Sequence, residues 1–262
     1  MGVLTAKLVL APSFVMCASI AARRYGARIG GLIGGLPVVA GPILLVFALS
    51  HGRAFAASAS AATLLGIVSL IAFIVVYSRL AASAHWGASL LLGWGAFFAM
   101  TALLSTVEVG AGVALGCVLA AIALGLLLLP RTRAGLPSAA VPPNWDLPLR
   151  GLSALALVLA LTALAGQLGA KLSGLLAPFP VIASVLAVFT HAQHGEQDLL
   201  RIMRGFVLGL VAYSLFCFAL AESLGSLSIA ASFVLASAVA LATQSLALAF
   251  SWRRSAPATS SG

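Results

Sequence analysis

Two stretches of this chain carry the groups that can do chemistry. In GGLIGGLPVVAGPILLVFALSHG (30–52), Pro37 and Pro42 interrupt an apolar run, and in SGLLAPFPVIASVLAVFTHAQHG (173–195) Pro178 and Pro180 do the same, ahead of Ser184, Thr190 and His191. A proline inside a helix removes a backbone donor and leaves a carbonyl without its partner. Half-helix ends and freed carbonyls are what an apolar segment can offer a solute, because the ends carry partial charge and the oxygens can coordinate. Hydroxyls add hydrogen bonds, and an ionisable His191 inside a span adds proton exchange. The candidate solute contacts are therefore Pro37, Gly41, Pro42, Pro178, Pro180, Ser184, Thr190 and His191.

Other residues read as structural. The overlapping spacings Gly30/Gly34 and Gly31/Gly35 suit close helix packing, and His51 and His194, each followed by glycine, suit helix ends. His191 and His194 share a helical face, but no third ligand completes a metal site; no metal and no cofactor are expected. Ser-His-Asp arrangements, a phosphate-binding loop and paired acids within a span are all missing, so the chain is not expected to be an enzyme. Gln167 and Gln244 are expected to join helices, and Trp86, Trp94 and Trp252 to anchor span ends at the interface. Cys17, Cys117 and Cys217 read as small core residues. Glu108, Asp146, Glu196, Asp198 and Glu222 map to loops or helix ends, and with no carboxylate in a span a neutral or anionic solute fits better than a cation.

The elements that position these groups follow from composition. Of 262 residues, 62% are hydrophobic and 7% charged, with a mean hydropathy of +1.17; soluble domains average about 25% charged residues. The formal charge of +9 sits in short segments between apolar runs, which fits lipid headgroups and not nucleic acid. Hydropathy predicts nine spans, near 3–21, 31–50, 56–78, 86–105, 111–129, 149–168, 173–192, 201–221 and 226–250. The period-two alternation of a membrane barrel is missing, so an all-α polytopic membrane protein is expected. With the amino terminus outside and the carboxyl terminus cytoplasmic, 11 of the 14 basic residues fall on the cytoplasmic side, as the positive-inside rule favours.

A repeat underlies this order. Ala27–Gly52 aligns without gaps on Ala170–Gly195 at an offset of 143, with eight of 26 positions identical, among them Gly31 with Gly174, Pro37 with Pro180 and His51 with His194. Gly66 then falls on Gly209, Lys7 on Arg150 and Gly41 on Ser184. The expected organisation is a first four-helix repeat (1–107), a linking helix (108–129), a cytoplasmic linker (130–148), a second four-helix repeat (149–252) and a disordered tail (253–262). One unmatched helix between the copies turns the second upside down, giving two inverted four-helix repeats joined by one linking helix. The charges agree, with three arginines in ARRYGAR after the first helix and one lysine in AGQLGAK after the sixth.

Where SGLLAPFPVIASVLAVFTHAQHG runs into a basic loop and the glycine-containing LRIMRGFVLGLVAYSLF, the second copy (174–218) resembles a short four-helix bacterial inner-membrane family that includes GlpM. The resemblance implies duplication of a half-size ancestor more than an activity. The first copy departs from it in having Leu36 before its proline and Pro42 within the helix.

The functional expectation is a secondary transporter of the bacterial inner membrane, in the exporter direction if a direction is chosen, moving a small neutral or anionic solute by alternating access. The alternatives are a lipid-handling protein or flippase and a non-transporting membrane assembly protein. Expected partners are the lipid bilayer and a small-molecule solute, with a homodimer left open.

Overall fold

The computed structural model describes residues 2–38, 40–132, 145–164 and 169–255, without the side chains of 2–11, 158–164 and 250–255. Most of the expected linker, Gln167 and most of the tail lie outside the described residues. Among the described residues all regular structure is helical: α1 (Gly2–Tyr25), α2 (Ala27–Gly34), α3 (Ala40–His51), α4 (Arg53–Leu80), α5 (Trp86–Ser105), α6 (Ala111–Leu128), α7 (Asp146–Leu164), α8 (Ala170–Leu176), α9 (Val181–His194), α10 (Glu196–Ser223) and α11 (Ile229–Ser255). Six stretches are long and apolar enough to cross a bilayer, namely α4, α5, α6, α8 with α9, α10 and the 229–249 part of α11.

Two expected segments are each split into a pair of shorter helices. After α2, Leu36 N donates back to Ile33 O, Val38 N to Leu36 O, and Gly41 N to Pro37 O, where α3 resumes. After α8 the same three bonds recur 143 residues on: Phe179 N to Leu176 O, Val181 N to Phe179 O and Ser184 N to Pro180 O. Pro37 and Pro180 have no N–H to continue the ladder, so each helix must stop and restart around them. The following turns also match. Gly52 and Gly195 take φ of +88° and +81°, conformations open to glycine, and connect α3 to α4 and α9 to α10 with no other intervening residue.

Packing repeats at the same offset. α5 and α3 lie on α4 as α11 and α9 lie on α10, while α2 packs on α10 and α8 on α4, each broken segment against the long helix of the other copy. These crossings are backbone to backbone. A Cβ on Gly31 would overlap the carbonyl of Ile202, and one on Gly174 that of Ala59; Ala59 and Ile202 are themselves 143 apart. Gly66 meets Leu175 and Pro178 as Gly209 meets Leu32 and Gly35, and Gly205 closes on Arg28. Small residues at such crossings let helices approach where lipid gives no hydrophobic drive for association.

The long helices α4 and α10, with the broken pair α8 and α9, form the centre: 72%, 61% and 67% of their apolar stretches are buried, against 22% for each of α5, α6 and α11. The outer helices present leucines such as Leu91, Leu103, Leu127 and Leu246 outward, as lipid-facing helices do. α6, without a counterpart, packs against both α4 and α10, and its carboxyl end is capped by Arg79 on Leu128 O (3.0 Å) and Arg204 on Leu129 O (2.9 Å) and Pro130 O (3.0 Å). Cys217 is buried as expected, whereas Cys17 and Cys117 face outward.

The glycine crossings set a stability test. Gly31→Ala and Gly205→Ala each force backbone apart and should cost about 1–3 kcal/mol, read as a lower melting temperature in detergent. Gly116→Ala, in open space on α6, should be neutral or gain about 0.5–1 kcal/mol from helix propensity.

Candidate functional site at the paired helix breaks

The two breaks face each other. Gly34, Gly35, Leu36, Pro37 and Ala40 from the first, and residues 177–183 from the second, line one cavity of about 40 Å³ closed by Leu70 of α4 and by Phe206, Leu210 and Tyr213 of α10. Space for one water takes on the order of 10–15 Å³, so the cavity holds a few water molecules and no larger solute. Tyr213 is 5% exposed, and its hydroxyl has no hydrogen-bond partner among the described residues. A buried hydroxyl without a partner is costly. Leu70 and Tyr213 are 143 apart, so equivalent positions of the two long helices face the cavity and only one carries a hydroxyl.

The carbonyls at the breaks keep partners: Gly174 O accepts from Ala177 N at 3.2 Å, and side chains approach Leu32 O and Gly174 O. Gln244 Nε2 of α11 donates to Leu32 O at 2.7 Å, and Thr63 Oγ1 of α4, whose hydroxyl is 2.7 Å from Ala59 O, also stands 3.1 Å from Gly174 O. Gln244 thus joins helices, and both α2 and α8 end without leaving these oxygens bare.

The eight candidate residues fall into three places. Pro37, Pro178 and Pro180 line the shared cavity. Gly41 and Pro42, with Pro37 again, line a separate groove of about 820 Å³ between α3, α10 and α11. Ser184, Thr190 and His191 lie further along α9; His191 is about 16 Å from Pro180 at 1.5 Å per residue, outside the cavity. The Ser184 hydroxyl accepts from Trp94 Nε1 at 3.0 Å, Thr190 is buried, and His191 Nδ1 stands 3.4 Å from the hydroxyl of buried Tyr77. Trp94 is therefore no end anchor: it sits within α5 and reaches across to α9.

A second polar centre lies where α1, α7 and α9 meet, and its acid falls within the linker that the sequence predicts. Helix α7 begins at Asp146, ahead of the expected start at 149, and its carboxylate is fully buried. It accepts from Arg150 Nε at 2.8 and 3.0 Å, from Gln193 Nε2 at 2.6 Å and from Arg23. Arg150 is also buried, with its guanidinium 5.0 Å from the Phe189 ring centroid. Burial alone pushes the Asp146 carboxyl up, but the hydrogen bonds and charge of Arg150, with Gln193 and Arg23, outweigh it and hold the group below its ordinary range. The signal in the sequence was DLPLR (146–150), an acid and a base four apart with proline in the first turn, which marks a helix start.

Comparison with protein-family models, with curated proteins and with solved structures finds no match to this chain.

The sign of the Asp146 effect fixes a pH test. A carboxyl held below its unfolded value stabilises the fold above about pH 4 and loses that contribution as pH falls through the lowered value. Melting temperature in detergent should be insensitive to this group between pH 5 and 8 and drop below pH 4. Asp146→Asn, which leaves buried Arg150 without its counter-charge, should cost about 3–5 kcal/mol at neutral pH and flatten the acid limb.

Proposed function

We propose that the chain is a secondary transporter of the bacterial inner membrane. In this reading it has nine spans, amino terminus outside and carboxyl terminus cytoplasmic, built as two inverted four-helix repeats joined by a linking helix. The observation that carries it is the meeting of two interrupted helices, equivalent in sequence, around one cavity that Tyr213 helps to line. Paired discontinuous helices at a repeat interface are the recurring construction of solute sites in secondary transporters. Broken backbone inside a membrane is tolerated only where protein or water satisfies it, so two matched breaks turned toward each other have a use beyond packing.

The solute is small and neutral or anionic. Among the described residues no carboxylate lines the cavity, and a tyrosine hydroxyl can donate to an acceptor on the solute. A volume of about 40 Å³ describes a closed state, and passage requires the surrounding helices to separate, as alternating access does.

Purified protein screened by thermal shift against neutral and anionic metabolites should be stabilised by at least one of them. Tyr213→Phe should then weaken that stabilisation by about tenfold in concentration, the size of one hydrogen bond, while the melting temperature without solute is unchanged or raised. Flux of the same compound in proteoliposomes should fall for Pro37→Ala and Pro180→Ala with folding retained. Wild-type flux in all three variants would remove the case for this site. Reporter fusions at Gly26 and Gly169 should report opposite sides of the membrane; the same side for both would defeat the inversion.

A further inference from the structure

The offset of 143 shows a difference between the two copies on their outer side. Beside α9, the rings of Trp94, Phe97 and Phe98 of α5 close on Phe179, with centroids 5.8, 5.4 and 5.7 Å from it, and Trp94 is held to Ser184. The residues 143 away are Ser237, Ala240 and Leu241 on α11, with Leu36 and Gly41 across from them. No ring stands at any of these five positions, and all five line the groove of about 820 Å³. One copy has filled with its own aromatic side chains the space that the other leaves open.

We propose that this groove is a binding site for a neutral, ring-bearing apolar molecule that enters from the bilayer. The occupant is indicated by the chain itself, since the equivalent space accepts packed rings. The walls suit such a guest: Phe216 and Phe233 meet edge to face, with centroids 6.3 Å apart and planes at 70°, and aromatic groups pack preferentially in this way. The groove is lined almost wholly by apolar side chains, and its volume lies in the range of pockets for compact organic ligands. The groove opens outward at Val234 and Leu241, 69% and 61% exposed, among lipid-facing side chains. Inward it ends on Leu36 and Pro37, which also line the cavity between the breaks. The site follows from the repeat and the side chains and does not depend on the transport reading.

The test uses the full chain in lipid nanodiscs and a trifluoromethyl phenyl diazirine, a neutral phenyl photoprobe whose adducts are mapped by mass spectrometry, with trifluorotoluene as competitor. Labelling at Phe233, Val234 and Leu241 should saturate and fall about tenfold under excess competitor, while labelling at lipid-facing Leu127 and Leu246 should not. The double variant Gly41→Ser with Ser237→Trp, which rebuilds the Trp94–Ser184 pair on this side, should abolish groove labelling and leave Leu127 unchanged. The converse variant, Trp94→Ser with Phe97→Ala, should create competitor-sensitive labelling at Phe179, and it supplies the test if the filled variant does not fold. Groove labelling that resists competition as Leu127 does would mean that lipid tails occupy it. Absence of groove labelling beside normal Leu127 labelling would mean that a second copy of the chain covers it. Either result, or wild-type labelling in both double variants, overturns the proposal.

Discussion

Everything in this fold depends on keeping backbone polar groups satisfied where water is excluded. An unpaired carbonyl in an apolar interior costs several kcal/mol, and the two helix breaks would be untenable on isolated segments. They are sustained because α2 and α8 lie backbone to backbone on α10 and α4, at Gly31, Gly205 and Gly209 on one side and Gly66 and Gly174 on the other. That proximity brings Thr63 within reach of the Gly174 carbonyl, and Gln244 meets Leu32 O from α11. The glycines are thus a condition for the breaks as well as a packing device.

The readability of this arrangement in sequence was uneven for a physical reason. Proline, glycine and the His-Gly ends act locally on the backbone, so both breaks and both turns could be placed from residue type, and the offset of 143 carried one reading to the other copy. Which side of a helix faces inward was a different matter. In a membrane both faces are apolar, so hydrophobic patterning does not separate core from lipid: adjacent Phe97 and Phe98 are fully buried and half-exposed. The same blindness hid Tyr213, set Trp94 at an interface and put outward-facing Cys17 and Cys117 in a core. Asp146 was hidden differently, since a proline-rich linker masked a helix start and its partners Arg23 and Gln193 lie far away in sequence.

The two copies share a backbone plan and differ in what fills it. Both keep the same hydrogen bonds at the break, the same glycine turn and the same crossing against the opposite long helix. Side chains then divide the labour: Tyr213 faces the cavity opposite Leu70, aromatic rings close one outer space, and the Asp146 cluster holds Arg150 at the position matching Lys7. Divergence of this kind is open to two matching stretches because the backbone constraint is met by glycines and prolines, leaving neighbouring positions free to change.

The seams also limit how the molecule can move on the transport reading. A glycine crossing with backbone in contact resists opening, because the close van der Waals contact between the two backbones is lost over its whole length. The seams join α2 to α10 and α8 to α4, so each binds part of one copy to part of the other. The bodies that separate to enlarge the cavity are then these cross-paired units, not the two halves of the sequence. The faces between them carry larger side chains, such as Leu70, Phe206 and Tyr213, which can change rotamer where a glycine contact has nothing to give. Such a motion parts Pro37 from Pro180 while leaving each break sealed on its own long helix, so the cavity can widen without exposing the backbone on which the fold depends.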